Sequence, residues 1–264
     1  MRIRQPAVAG MFYPASPVAL EREVLDLLEQ ARQQRDAALE PPPRALIVPH
    51  AGYPYSGPVA ASAYTTLRPY RQHYRRVVLL GPAHRVYVPG MAIPSVEAFD
   101  TPLGSVLLDS RSLERLAGMP AMQVSDEAHA LEHSLEVQLP FLCEVLEDFV
   151  LVPIVVGDCE PQPLAQVLEL FVDDPQTLIV VSSDLSHYHR YEDACRRDAQ
   201  TAAAISRCSL SLAPEQACGA RAINGLTLLC AQRGFEIREL DRRNSGDTAG
   251  GRDRVVGYGA YVVR

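Results

Sequence analysis

Apolar residues in the first part of the chain recur with two different periods. Ser16 followed by Pro17 reads as a helix cap and a first-turn proline, and Leu20, Val24, Leu27 and Leu28 continue on one face, which predicts a helix running toward residue 36. PPP at 41–43 ends that unit. ALIVP at 45–49 is instead a short continuous apolar run between prolines, the pattern of a buried strand, and Gly57 to Leu67 reads as a small-residue helix behind it. RRVVLLG at 75–81, VLVPIVVG at 150–157 and TLIVVSSD at 177–184 predict further buried strands, and RVVGYGAYVV at 254–263 a closing one. Helical patterns occupy 111–117, 126–147, 161–172, 191–207 and 220–233. Between Pro89 and Asp109, MAIPSVEAF and SVLLD separated by DTPLG predict a hairpin excursion.

Strands alternating with helices predict an α/β fold: a mainly parallel central sheet with helices on both faces, in three layers. With no internal repeat, low-complexity tract or linker, residues 1–264 are expected to form one domain.

The composition changes this picture little but narrows the partners. The chain is 47% hydrophobic and 22% charged, with a formal net charge of -7, and its basic residues are dispersed. This excludes the electrostatic footprint of a nucleic-acid or anionic-membrane binder and points to a small-molecule or peptide ligand. No stretch approaches the roughly 20 apolar residues of a membrane span, and the N-terminus lacks an apolar leader core, so a cytoplasmic location is expected. Six cysteines, at 143, 159, 195, 208, 218 and 230, form no C-x-x-C pair and are expected to be reduced, with Cys143 and Cys230 as packing residues.

Open α/β sheets bind ligands beyond the carboxyl ends of their strands. Three predicted strands exit there into polar clusters: PHAGYPYSG with His50, GPAHRVY with His84, and SSDLSHYH with Asp184 and His187. His73, in RPYRQHYRR, reads as a surface residue, and His189 as intermediate. HALEH at 129–133 matches the H-x-x-E-H pattern of a zinc site and keeps open a zinc hydrolase built on His129, Glu132 and His133. A phosphate loop, a dinucleotide fingerprint and a nucleophile elbow are all missing. Ser182, Ser183 and Ser186 therefore read as hydrogen-bonding loop residues rather than nucleophiles.

Taken in order, RQPAVAGMFYP, VPHAGYPYSG, LLGPAHRVY, EHSLEVQLPFL, SSDLSHY and NSGDTAGGRDRVVGYGAYV resemble the Memo family, known in prokaryotes as AmmeMemoRadiSam system protein B, over essentially the whole chain. The resemblance implies a fold similar to class III extradiol dioxygenases, which are non-haem iron enzymes. It further implies a metal held by His50 and His84, an adjacent pair Asp184 and His187 with His187 as general base, and His133 in the pocket through the EHS motif. The animal member's third ligand is a cysteine in the C-terminal segment, where this chain has Asn244, Ser245, Gly246 and Asp247. Asp247 would complete a two-histidine, one-carboxylate set suited to iron(II), with Asp184 as a further candidate and an incomplete site as the alternative. Iron(II) is the expected metal, with copper or zinc as alternatives. The family name implies AMMECR1-domain and radical SAM proteins as partners. The expectation is a metal-binding, dioxygenase-like oxidoreductase, and the rival is a non-catalytic module holding a peptide or partner in the same pocket.

Overall fold

A computed structural model describes residues 2–34, 40–209 and 211–264. In chain order its elements begin with β1 (Ile3–Arg4), α1 (Pro17–Gln33), β2 (Ala45–Val48), α2 (Tyr53–Tyr64) and a 3-10 turn (Thr65–Tyr70). There follow β3 (Arg76–Pro82), β4 (Met91–Ile93), β5 (Ala98–Thr101), β6 (Gly104–Leu107), α3 (Ser110–Ala117) and β7 (Met122–Val124). Next come α4 (Asp126–Ala130), α5 (His133–Glu136), α6 (Leu139–Val145), β8 (Val150–Val156), α7 (Pro161–Glu169), β9 (Thr177–Ser182) and β10 (His187–His189). The chain closes with α8 (Tyr191–Ser206), α9 (Ala220–Arg233), β11 (Ile237–Asn244), a 3-10 turn (Ser245–Asp247) and β12 (Val255–Val263). The predicted first helix is α1, ending at Gln33; its expected continuation through residues 35 and 36 lies outside the described residues.

The main sheet has the order β10-β12-β2-β9-β3-β8-β4-β7, with β11 also paired to β12. Its centre, β2-β9-β3-β8, is parallel throughout, and β12 and β4 join the two sides of that centre antiparallel. Helices cover both faces. α2 packs on β2 and β12 with α1 and α6 against it, while α7 and α9 pack together and α9 meets β3 and β9. All residues of β2 and β9 are buried, as continuous apolar runs covered on two faces must be.

Three local expectations are corrected. The hairpin forms between β5 and β6, but MAI at 91–93 leaves it to join the main sheet beside β8. The helix expected over 126–147 is three short helices, because Glu132 caps α5 by accepting from Ser134 N and Pro140 opens α6. β11 was not predicted: IRELDRRN lacks a strand-like apolar pattern, and it becomes a strand through its pairing with β12.

Candidate metal centre at the strand exits

In the parallel register Val48 of β2 stands opposite Ser182 of β9, and Val181 opposite Leu80 of β3. The strands that end near His50, His84 and Asp184 are therefore immediate neighbours. His50 and His84 approach with ring centroids 5.2 Å apart. His133, from the start of α5, completes the group at 5.6 Å from His50 and 4.8 Å from His84. Ligand atoms of these three imidazoles all lie within 4.8 Å of one another, and no other group of three or more His, Cys, Asp or Glu does so among the described residues.

Hydrogen bonding sets which nitrogen each ring presents. The single Ser182 hydroxyl proton goes to Ser134 O at 2.7 Å, so toward His50 Nδ1, 2.8 Å away, Ser182 Oγ acts as acceptor. His50 therefore carries its proton on Nδ1 and keeps the Nε2 lone pair. His84 Nδ1 donates to Glu132 Oε1 at 2.9 Å, which likewise frees Nε2. A carboxylate behind a ligating imidazole is the usual partner of a metal-binding histidine. Burial opposes ionisation of Glu132, but its bonds from His84 and Ser134 outweigh this and hold the carboxyl at about 2.

Burial keeps the other two rings neutral. It drives His50 well below the ordinary histidine value, with the neighbouring imidazoles of His84 and His133 acting in the same direction, and lowers His133 to about 4 against the pull of Glu132. His133 Nδ1 is buried without a hydrogen-bond partner, 3.5 Å from Glu132 Oε1. Two unprotonated Nε2 atoms, that of His50 facing only the Cys218 thiol, and an orphaned ring nitrogen on His133 fit a divalent transition ion.

The segment bearing His133 is pinned from below. Glu136 is fully buried and accepts from Ala7 N, Val8 N and Tyr13 OH while pairing with Arg4. Arg4 also donates to the carbonyls of His129 and Glu132. Gly81 lets this segment lie against β3, since a Cβ there would stand 2.6 Å from Ser134 Oγ.

The zinc reading of HALEH fails on the same geometry. α4 ends at Ala130, so the two histidines share no continuous helix face. His129 is 1% exposed and its Nε2 bonds to Ala92 O at 3.0 Å, away from the cavity, while Glu132 braces His84.

Asp247 also stands elsewhere. Its Oδ2 accepts from Asn244 N at 2.9 Å in a capping box and its Oδ1 from Tyr191 OH at 2.6 Å. Neither Asp247 nor any residue of 244–246 lines the cavity, so the third donor expected from that segment is corrected. The thiol that reaches the site is Cys218, with Sγ 3.3 Å from His50 Nε2. Its backbone N donates to Asp184 O, and Asp184 N donates to its sulfur at 3.3 Å. Gly219 permits this approach, because a Cβ there would lie 2.7 Å from Ser183 Cβ. Cys218 escaped the sequence reading; a Cys-Gly pair directly before a helix was the available signal.

Asp184 is 5% exposed, and its Oδ1 accepts from His50 N at 2.8 Å. Burial raises its carboxyl above the usual range, opposed by the bond from His50 N and by the nearby imidazoles of His187 and His84. His187 Nδ1 donates to Leu185 O at 2.9 Å and so keeps its Nε2 lone pair. His50, His84, His133, Asp184, His187 and Cys218 all line one cavity of about 800 Å³, together with Arg85, Tyr188, His189, Arg197, Pro214 and Glu215. That volume lies in the range of roughly 300–1,000 Å³ common for small-molecule sites.

Comparison with known proteins places this geometry in a family. The profile described as Memo-like protein matches residues 4–262. The chain is 35% identical to a MEMO1 family protein of Aquifex aeolicus over 98% of each chain. It is 32% identical to MEMO1 family protein TV1383 of Thermoplasma volcanium, covering 99% of this chain and 98% of that one. A MEMO1 family protein of Methanosarcina mazei is 34% identical over the full length of both. The chain belongs to the Memo family.

Proposed function

We propose that this Memo-family chain is a metal-dependent oxidoreductase acting on a small molecule bound in the strand-exit cavity. The observation that carries the reading is the convergence of His50, His84 and His133 on one point of an open cavity, with two tautomers set by Ser182 and Glu132. Nε2 of His50 and of His84 would hold the ion with His133 as third donor, and a turn of the Cys218 side chain, whose Sγ stands beside His50 Nε2 but outside the three-imidazole group, would bring its thiolate in as the alternative. Imidazole and thiolate suit copper and zinc as well as iron(II); when bound, iron or copper would supply one-electron chemistry with oxygen.

The remaining work falls to the protein's own groups. His187, anchored through Nδ1 to Leu185 O, takes a proton from substrate at Nε2 and returns it, the acid–base role for which a positioned imidazole is suited. Asp184 orients the site by holding the His50 backbone and the Cys218 sulfur rather than by touching substrate.

The test is metal content and oxygen uptake of protein purified anaerobically. About one equivalent of iron or copper, lost in His50→Ala and His84→Ala, with oxygen uptake that His187→Gln abolishes, is the expected result. Metal bound without oxygen uptake under any condition would support the non-catalytic binding module instead.

A further inference from the structure

Besides its imidazoles the cavity is lined by two arginines from distant parts of the chain. Arg85 follows His84 at the exit of β3, and Arg197 lies on α8. Both are exposed, and neither side chain has a hydrogen-bond or ion-pair partner among the described residues. Elsewhere arginines such as Arg76, Arg233 and Arg243 are engaged by carboxylates, in a chain whose net charge is -7. Among the lining residues only Glu215 and the buried Asp184 are acidic. The exposed rim is thus positive by one charge before any metal is added.

Tyr188, another lining residue, has an unusual backbone. It is the extra residue of a bulge, since His187 and His189 pair with the consecutive residues Val256 and Val255. Its φ of 62° is a left-handed conformation that a bulky side chain rarely adopts. Bulges beside functional sites re-aim side chains, and strain of this kind persists where the surroundings impose it. Tyr188 is 64% exposed and lines the cavity, with the Arg254 guanidinium 5.1 Å from its ring centroid.

We propose that the substrate of this cavity is an anion, a small molecule with a carboxylate or phosphate group clamped by Arg85 and Arg197 and an apolar body lying against Tyr188. This rests on the reading of the cavity as the substrate site. Guanidinium groups bind both anions through paired, charge-assisted hydrogen bonds. The Tyr188 ring supplies apolar area at low entropic cost.

The full-length protein, as purified and after chelator treatment, is titrated calorimetrically with benzoate, phenyl phosphate and the neutral benzyl alcohol. At least one anion is expected to bind about tenfold or more tighter than the alcohol. The tighter anion identifies the group, and the preference should shrink as salt is raised. Arg85→Gln combined with Arg197→Gln is expected to erase the preference while thermal stability and metal content stay at wild-type levels. Tyr188→Gly should weaken benzoate relative to acetate without lowering thermal stability, because glycine relieves the backbone strain. Equal binding of alcohol and anions, or an anion preference that survives in the double arginine variant, overturns the proposal. Metal content of the same samples separates the two readings: a wild-type protein that prefers anions but holds no metal supports the anion clamp and overturns the metal centre.

Discussion

Glu132 grips His84 at two points: one carboxylate oxygen accepts from the His84 backbone N at 2.6 Å and the other from its Nδ1 at 2.9 Å. Residue and ring are thereby fixed by a single side chain, 1% exposed, from a different element. Glu132→Gln removes the charge behind the imidazole but keeps the shape. Metal affinity is expected to fall about 10- to 100-fold, the usual consequence of removing such a brace. Competition against a chromogenic chelator measures it, and an unchanged affinity would show that the brace is only structural.

Cys218 should reveal itself through protons. Burial, reinforced by the Asp184 charge, pushes its thiol up to about 12, so the metal-free protein holds it protonated at neutral pH. Binding as thiolate must then release that proton, about one per ion. Calorimetric metal titration in buffers of different ionisation enthalpy reads the number, which is expected to drop by about one in Cys218→Ser. No difference between the two proteins would leave His133 as the third donor.

Asp247→Asn is expected to leave metal stoichiometry and affinity unchanged. Its carboxylate is engaged by Asn244 N and Tyr191 OH, and Asn keeps only one of the two acceptor oxygens, so the cost should appear in stability, about 0.5–1.5 kcal/mol, by denaturant titration. A variant that folds normally but loses its metal would restore Asp247 as a ligand.

His129 should make the metal-free fold acid-sensitive. Burial lowers its pKa from 6.5 to about 4, against the opposing bond to Ala92 O, so the unfolded chain binds more protons there than the folded one. Stability from the neutral ring is complete above pH 6.5 and drains away as pH falls toward 4. The full loss is on the order of 3 kcal/mol. Urea unfolding at pH 7 and pH 5 is expected to show a smaller pH-dependent loss in His129→Gln than in wild type. Equal losses would mean the imidazole is not held neutral.

Much of the fold was legible because burial on two faces leaves a signature that needs no partner to be read. ALIV, VVLL and LIVV are continuous apolar runs, and parallel alternation with helices then places His50, His84 and Asp184 at one edge. β11 carried no such signature, since its charged residues form a strand only because β12 offers a hydrogen-bonding edge. Periodicity alone did not reveal which groups meet: His133 was expected in the pocket only through the family resemblance, and Cys218 not at all. His133 and Cys218 reach His50 from helix starts 83 and 168 positions away, through contacts that Gly81 and Gly219 make sterically possible. The HALEH pattern, equally visible, was split by a cap that turned Glu132 to His84 and left His129 in the core. Periodicity reports the environment of each element, because solvent and core act on residues one at a time. Coordination depends on distances between elements, and only packing decides those.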